Sequence, residues 1–475
     1  MIILGTNSVK DTGFDVANSC RFNSASSDSM TRDNGTPTDL KKFSISLWHK
    51  RAEMPDNKYL IVGFDTEDNR ALLQFSSDQL LFQNQTGGSN NTIIKSNAKF
   101  RDPSAWYHFC VIVDTTQGTD TNRVKMYVNG SQVTSLASST YPSVNTDMEL
   151  TDSANSILLN QKGDGSDFNS GYYSEVVVLD GTAASITDFG EFDEDSGIWK
   201  PIDVSGLTFG TNGFYLDFED SANLGNDANG GTDFTEANLT AIDQTTDTPT
   251  NNFATMNPLN VPASNQPTFS EGNLKSVTSS VGSARFGGSS TIGVTQGKWY
   301  IEAKATVDST VRNTIGVCGE VSHLALNNED IHENSNSSFG YDASSGDKFV
   351  NNTQSSYGNS YTTGDIIGIA LDLDNNKLYF SKNGTFQNSG DPTSGATGTG
   401  AISITAVSST TDGAYFFAQG DNTGGSFVST FEFNFGSPPY SISSGNTDGN
   451  GYGNFEYAVP SGYYALNTKN LAEYG

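Results

Sequence analysis

The chain has 475 residues, of which 35% are hydrophobic and 17% charged, and its 54 acidic and 25 basic residues give a net charge of −29. A surface this negative repels phosphate backbones and anionic lipid, so the composition argues against nucleic-acid and membrane-surface binding. The 49 glycines and the 11% of aromatic residues favour many short strands with polar turns around an aromatic core, which predicts an all-β protein.

The start of the chain has no pattern of a targeting segment. The apolar run from Met1 to Leu4 is short and lacks basic residues, and no stretch reaches the roughly 20 apolar residues of a membrane span. Cys20, Cys110 and Cys318 do not form a disulfide framework. We therefore expect folding in a reducing cytoplasm without membrane insertion.

Strand-like alternation begins at residues 43–48 and recurs at residues 124–128, which the hairpin pair Asn129-Gly130 follows. These patterns place one strand face in a core and the other in water, as in an antiparallel sandwich. Residues 43–48, 106–109 and 126–130, with 171–178 as a closing strand, resemble the laminin-G-like, concanavalin-A-like jelly rolls. The resemblance covers about residues 20–182 and implies that fold without a particular ligand, so we expect a first domain over residues 1–205.

The middle of the chain is rich in Asn, Asp, Thr and Gly and contains Pro249, Pro258, Pro262 and Pro267. This composition predicts a polar connector with little core of its own, over residues 206–267. A second sandwich with a C-terminal tail is then expected over residues 268–475.

Apolar residues alternate with polar ones again at 367–373 and 431–435, and a second Asn-Gly pair stands at Asn383-Gly384. These patterns predict another antiparallel sandwich. Residues 297–302, 364–384 and 434–436 resemble the SPRY domains, which are also two-sheet sandwiches. In relatives of that kind the loops at one end of the sandwich bind partners.

The order of a laminin-G-like unit, a connector and an SPRY-like unit resembles virion proteins of tailed bacteriophages. The resemblance implies a non-enzymatic particle protein, made in the host cytoplasm and displayed on the particle surface as a tail fibre, appendage or head decoration. Its expected partners are other virion proteins, further copies of itself and host-surface polysaccharide. A bacterial surface adhesin is an alternative, which the lack of a signal peptide disfavours.

One acidic run raises the alternative of a glycan-degrading hydrolase. Glu191, Asp193 and Asp195 would share one face of an extended strand, and laminarinase-type glucanases use a Glu-x-Asp-x-Glu strand on a jelly roll. The run ends in Asp instead of Glu and is flanked by Gly190 and Ser196-Gly197. A solvated acidic turn is therefore favoured, and no catalytic residue is assigned.

Asp164 and Asp167 are candidate calcium ligands in an acidic rim loop, and no other cofactor is expected. The same spacing occurs in ordinary turns, which remain the alternative. Tyr357, Asn359 and Tyr361 are the candidate ligand-binding residues, because aromatic rings cover the apolar face of a sugar while neighbouring amides bind its hydroxyls. Residues 82–85 have the same combination. The alternative is a Tyr-rich loop that packs on its own sheet.

Overall fold

The computed structural model describes residues 13–54, 57–278, 286–307, 312–327, 329–331, 336–421 and 428–475. The chain forms two compact units, an N-terminal unit that ends at Thr250 and a C-terminal unit that begins at Asn251. Each unit contains two large sheets with mainly antiparallel pairing, so the predicted all-β fold of two sandwiches is confirmed. None of the helices in these described ranges has the length and apolarity needed to span a membrane.

The N-terminal unit consists of two sheets and a small hairpin. Sheet 1 has the order β10-β9-β8-β3-β13-β1-β18, with β16 also paired to β13; sheet 2 has the order β11-β7-β6-β5-β4-β12-β2-β17; β14 pairs with β15. The described strands are β1 (Ser19–Phe22), β2 (Ser29–Asp33), β3 (Lys42–Arg51), β4 (Asn57–Thr66), β5 (Asn69–Ser76), β6 (Gln79–Thr86), β7 (Ser89–Lys99), β8 (Trp106–Asp114), β9 (Val124–Val128), β10 (Ser131–Gln132), β11 (Leu136–Thr140), β12 (Ser156–Leu159), β13 (Gly171–Asp180), β14 (Gly190–Phe192), β15 (Trp199–Pro201), β16 (Phe214–Leu216), β17 (Thr235–Ala237) and β18 (Gln244–Thr245).

The alternation seen in the sequence fills the space between the two sheets. Ile45 of β3 points into the same core as Leu73 of β5 and Phe82 of β6, and all three are fully buried. Successive strand residues point to opposite faces, so Leu72 and Gln83 lie on the outward face of sheet 2.

The outward face of sheet 1 is covered by the chain that follows β13. Phe189, Val204 and Phe209 pack on Cys110 and Val177 in a second apolar layer. Another buried group on this face consists of Trp48, Trp106, Tyr172 and Trp199. The centre of sheet 1 is therefore buried on both sides, which explains why β13 has no exposed residue.

The segment predicted as a polar connector, residues 206–267, differs from that expectation. Its strands β16, β17 and β18 pair with β13, β2 and β1 of the N-terminal unit. Phe214, Leu224 and Phe234 are buried in the core of that unit, whereas Met256 is buried in the C-terminal unit. Its aromatic residues, such as Phe214 and Phe234, point inward, while the polar majority forms turns such as the one in which Asp220 accepts from the backbone N of Ala222. The average composition of residues 206–267 therefore did not indicate that this segment is folded.

A buried ion pair fixes the end of this segment to sheet 1. The Nζ of Lys50 on β3 lies 2.7 Å from Asp247 Oδ2, and both side chains are almost completely buried. Burial lowers the pKa of Lys50, and Asp247 opposes that shift. The indole N–H of Trp106 donates to the other carboxylate oxygen, at 3.0 Å.

The C-terminal unit also has two sheets. Sheet 3 has the order β19-β20-β32-β22-β27-β28-β29, with β30 paired to β28 and β33 parallel to β22; sheet 4 has the order β21-β31-β23-β24-β25-β26. The described elements are β19 (Thr268–Ser270), β20 (Lys275–Val277), β21 (Phe286–Ser289), β22 (Lys298–Thr306), β23 (Asn313–Cys318), α1 (Val321–Asn327), β24 (Ser338–Asp342), β25 (Asp347–Val350), β26 (Thr353–Ser356), β27 (Ile366–Asp372), β28 (Lys377–Lys382), β29 (Thr385–Phe386), β30 (Ile402–Ser403), β31 (Phe416–Asp421), β32 (Thr430–Asn434), β33 (Tyr464–Ala465) and α2 (Thr468–Tyr474).

The last part of the chain covers the outward face of sheet 3. Phe455 and Tyr463 pack on Tyr300 of β22 and Tyr379 of β28. The buried carboxylate of Glu302 accepts from two backbone N–H groups of this segment, those of residues 456 and 457, at 2.9 and 2.8 Å. The tail predicted from the sequence is therefore an integral layer of the C-terminal unit.

We predict that Asp247→Asn destabilises the N-terminal unit by about 3–5 kcal/mol, because it removes the carboxylate that neutralises the buried Lys50. Asp147→Asn is the matched control, since Asp147 forms an ion pair of the same 2.7 Å length with Lys41 but is exposed. The control should change the free energy of unfolding far less in chemical denaturation, because solvent screens an exposed pair. Equal effects of the two variants would contradict the placement of residues 206–250 in the N-terminal unit.

Candidate functional site

The candidate ligand-binding tyrosines of the sequence lie inside the C-terminal unit. Tyr357 is 7% exposed and Tyr361 1% exposed, and both belong to the core between sheets 3 and 4. The Tyr361 hydroxyl lies 3.0 Å from the carbonyl oxygen of Tyr341, and its ring packs on the Tyr341 ring at 5.1 Å. Asn359 is exposed between them. The expected pair of exposed rings is therefore corrected to two core tyrosines, because the loop folds back onto its own sheets.

The candidate calcium ligands lie in the loop after β12. Asp164 pairs with Lys162 at 2.8 Å and accepts from the backbone N of Ser166 at 3.1 Å. The hydrogen bond from Lys162 is the main reason that the pKa of Asp164 is lowered. Asp167 is exposed and has a left-handed backbone with φ of 54°. Since the described residues include no group of three or more potential metal ligands, this geometry favours the turn.

The acidic run after β13 forms a hairpin turn. Glu191 on β14 and Asp193 both pair with Lys200 on β15, at 3.3 and 3.5 Å. Hydrogen bonds from Ser196 lower the pKa of Asp193. A general acid in glycoside hydrolysis needs a raised pKa, so the geometry of this run supports a turn and gives no support to catalysis.

A different acid, Glu175, has the perturbed pKa that functional sites often show. It occupies a β-bulge of β13 with φ of 49° and is 5% exposed. Burial raises its pKa to about 8, while a 2.7 Å hydrogen bond from the Tyr215 hydroxyl opposes the shift. Because the carboxyl is enclosed under the segment that carries Tyr215, it is a structural acid of the covered face of sheet 1.

The outward face of sheet 2 carries a grid of polar and apolar side chains, and it is the strongest candidate binding surface of the N-terminal unit. Cross-strand pairing places Tyr59, Gln74, Leu81 and Lys95 in one row across β4–β7. The adjacent row consists of Val62, Leu72, Gln83 and Ile93. We call these eight residues the amide face.

The amide of Gln74 lies at the centre of the amide face and lacks a complete set of hydrogen bonds. Gln74 is 8% exposed, and its Oε1 has no hydrogen-bond partner among the described residues. A buried unpaired amide group costs about 1–3 kcal/mol. Neighbouring amides are paired, since Gln83 donates to Asn90 Oδ1 at 2.6 Å. Gln74 therefore carries a buried acceptor without a partner, on the outward side of sheet 2.

Charged residues lie at two sides of the amide face: Lys95, which belongs to it, and the loop beside Tyr59. Lys95 donates to Ser76 Oγ at 3.1 Å and has no carboxylate within 4 Å in the described part of the chain. On the other side, burial raises the pKa of Tyr59, and the positive charges of Lys162 and Arg70 oppose that shift. The loop of Asp164 and Asp167 thus forms a rim of this face. Lys162 and Arg70 are themselves paired with Asp164 and Glu67, so the charges of this rim are balanced.

Part of this site could be expected from the sequence. Residues 82–85 combine an aromatic ring with amides, and the structure places Gln83 on the outward face, whereas Phe82 is fully buried in the core. Gln74 was missed because its neighbours on that face, Tyr59 and Leu81, depend on the register of β5 with β4 and β6. Alternation of Leu72, Gln74 and Ser76 with the buried Leu73 and Phe75 was the available signal.

Two family models match separate parts of the chain. Residues 24–185 match the concanavalin A-like lectin/glucanases superfamily, and residues 298–419 match the SPRY domain. The N-terminal match includes β3–β13 and thus the whole amide face, and the C-terminal match includes β22–β30. The chain therefore contains one domain of each kind, as the sequence resemblance predicted. Both kinds are consistent with a binding role.

Several solved structures have similar parts. A candidate carbohydrate-binding protein from Bacteroides ovatus is 17% identical over 48% of this chain and 60% of that chain, with a TM-score of 0.35. The heptameric SAP-like pentraxin of Limulus polyphemus is 16% identical over 36% of this chain and 80% of that chain, with a TM-score of 0.28. The SPRY domain of human HERC1 is 16% identical over 34% of this chain and 86% of that chain, with a TM-score of 0.24.

This chain thus spans about 60% of the Bacteroides ovatus structure. No curated protein matched the sequence. All three TM-scores lie below 0.5, so these likenesses assign no ligand to the amide face.

We predict that Tyr361→Ala destabilises the C-terminal unit by about 3–5 kcal/mol, as expected for truncating a buried aromatic side chain. Tyr361→Phe keeps the ring and should cost only about 1–2 kcal/mol, for the lost hydroxyl contact. Asn359→Ala is the exposed control and should leave the melting temperature nearly unchanged. Calorimetry on the three variants distinguishes a core tyrosine from a surface one, since a surface residue would give three equally small effects.

The stability of the N-terminal unit should fall as Glu175 loses its proton. The folded pKa of about 8 lies above the ordinary value of about 4.3, so the folded state holds this proton more tightly. Its stabilising effect is complete at low pH and disappears as the pH rises through 8. Urea denaturation should therefore show the wild type losing stability relative to Glu175→Gln between pH 5 and pH 9. Glu194→Gln, at an exposed position, should show no such change, and a constant difference for Glu175→Gln would contradict the assignment.

Proposed function

We propose that the chain is a non-enzymatic glycan-binding protein, and that it binds polysaccharide on the amide face of its N-terminal unit. The observation that carries the proposal is the unpaired Oε1 of Gln74 on an outward sheet face. Sugar hydroxyls are donors and acceptors at once, so the amide groups of Gln74 and Gln83 can pair with them. Because this oxygen of Gln74 is itself buried, a sugar hydroxyl would reach it only after neighbouring side chains shift, and would then supply the donor that Gln74 lacks.

The apolar members of the amide face support the same ligand class. The Tyr59 ring packs beside Val62, Leu72 and Leu158 and is only half-buried. A pyranose has an apolar ring face and polar edges, so it can lie on Tyr59 while its hydroxyls contact Gln74 and Gln83. Lys95 adds a donor that suits an anionic sugar such as a uronate or a sulfated residue.

We further propose that the protein acts as a structural component displayed on a bacteriophage particle, in contact with other virion proteins and with further copies of itself. The order of laminin-G-like and SPRY-like domains along one chain supports this assignment. Mass spectrometry of purified particles should detect the protein in constant stoichiometry with the major capsid protein. Its absence from the particles, with presence on a bacterial cell surface, would instead indicate an adhesin.

We predict that Gln74→Leu separates stability from binding. Leucine is similar in size and removes the unpaired amide beside Leu72 and Leu81, so the free energy of unfolding should rise by about 1 kcal/mol. Binding to the polysaccharides retained by the wild type on a glycan array should weaken about 3- to 10-fold.

Gln132→Leu is the matched control, because Gln132 is an exposed glutamine on β10 of sheet 1. This variant should change neither the free energy of unfolding nor the binding to polysaccharide. A more stable Gln74→Leu protein with unchanged binding would show that Gln74 is only a structural defect of the sheet.

A further inference from the structure

A concave site lies at one end of the C-terminal unit. The cleft has a volume of about 400 Å³, within the range of small-molecule sites. Its walls are the start of β22, the turn after β27 and the segment from β33 to the end of α2. The lining residues are Gln296, Gly297, Lys298, Asp374, Gly462, Tyr464 and Tyr474.

Two tyrosines form a preorganised aromatic wall of this cleft. The rings of Tyr464 and Tyr474 stack with centroids 3.8 Å apart and planes at 10°. Tyr464 is held by the parallel pairing of β33 with β22, and Tyr474 by helix α2, whose Leu471 is 2% exposed. Because the rings already stack on each other, a planar ligand cannot enter between them, and only their outer surfaces and edges are available.

Hydrogen bonds hold the polar groups that line the cleft, and some of their oxygens accept no hydrogen bond. The backbone N–H of Gly297 donates to Asp374 Oδ1 at 3.0 Å, and Gln296 Nε2 donates to the Gly475 carbonyl oxygen at 2.7 Å. In the described residues, the other side-chain oxygens of Asp374 and Gln296 have no hydrogen-bond partner. Lys298 pairs at 3.1 Å with Asp372, whose side chain is fully buried.

We infer that this cleft binds a neutral sugar residue, on the aromatic wall of Tyr464 and Tyr474 and through Asp374 and Gln296. The exposed Asp374 disfavours an anionic ligand, and Lys298 is already paired with Asp372, so it supplies no free positive charge that would attract one. A neutral pyranose needs an apolar wall and several polar groups at its rim, which is the combination present. The cleft is thus a second glycan site, in a different unit from the amide face.

The C-terminal segment builds this site, because Tyr464 and Tyr474 lie beyond the matched SPRY region of residues 298–419. The inference shares the ligand class of the proposed function and rests on it in that respect. The two sites are distinguishable by experiment, since their aromatic residues, Tyr59 and Tyr474, belong to separate units.

The test is saturation-transfer NMR on the full chain with glucose, galactose, mannose and N-acetylglucosamine as probes. The wild type should give transfer to at least one of the four. Tyr474→Ala and Gln296→Ala should each reduce that signal at least 3-fold, whereas Tyr474→Phe, which keeps the ring, should retain it. Gln354→Ala, an exposed glutamine on β26 of the same unit, is the matched control and should have no effect.

The variant Tyr59→Ala separates this inference from the proposed function. Transfer that persists in Tyr59→Ala and is lost in both Tyr474→Ala and Gln296→Ala supports the cleft. Transfer that depends on Tyr59 and not on Tyr474 or Gln296 overturns the cleft and leaves the amide face standing. The absence of transfer to all four neutral sugars also overturns the cleft, and polysaccharide binding to the array then still tests the amide face.

Discussion

An apolar sheet face has to be covered, and this constraint organises both units. Each sandwich buries one face of each sheet in its core. An apolar outward face must then be covered by another segment of the chain. In the N-terminal unit, the chain after β13 returns over sheet 1, and the buried pair of Lys50 and Asp247 fixes its end. In the C-terminal unit, the chain after β32 returns over sheet 3, and Glu302 holds it by two backbone N–H groups. Removing water from these faces provides most of the stabilisation, while the buried polar contacts define the position of the covering segment.

The same constraint determines where ligands can bind. Sheet 1 is closed by its covering segment, so Glu175 and the buried tryptophans serve the fold. The outward face of sheet 2 carries instead a mixture of amides, a tyrosine and a lysine, and Gln74 has a buried acceptor without a partner there. In the C-terminal unit the covering segment itself ends beside β22 and places Tyr474 against Tyr464, which creates a cleft at its edge. One candidate site is therefore an outward sheet face, and the other is formed by the covering segment.

The alternation of apolar residues was sufficient to predict the all-β fold and two sandwiches. On the strands that contain Phe43, Ile369 and Phe433, an apolar side chain recurs at every second residue. The alternation could not identify the covering segments, where single aromatic residues such as Phe214 and Phe234 are separated by long polar turns. It also misplaced Tyr357 and Tyr361, since a loop tyrosine next to polar residues looks the same whether its ring points outward or into the core. The amide face required the register of four strands, which no local pattern contains.

The proposed function depends on the binding of glycan to the outward face of sheet 2. A crystal structure of the full chain with an oligosaccharide that it binds in solution would show this interaction. We expect a sugar ring on Tyr59 with a hydroxyl within hydrogen-bond distance of Gln74 Oε1. An oligosaccharide bound in the N-terminal unit at another surface, with the amide face bare, would contradict it.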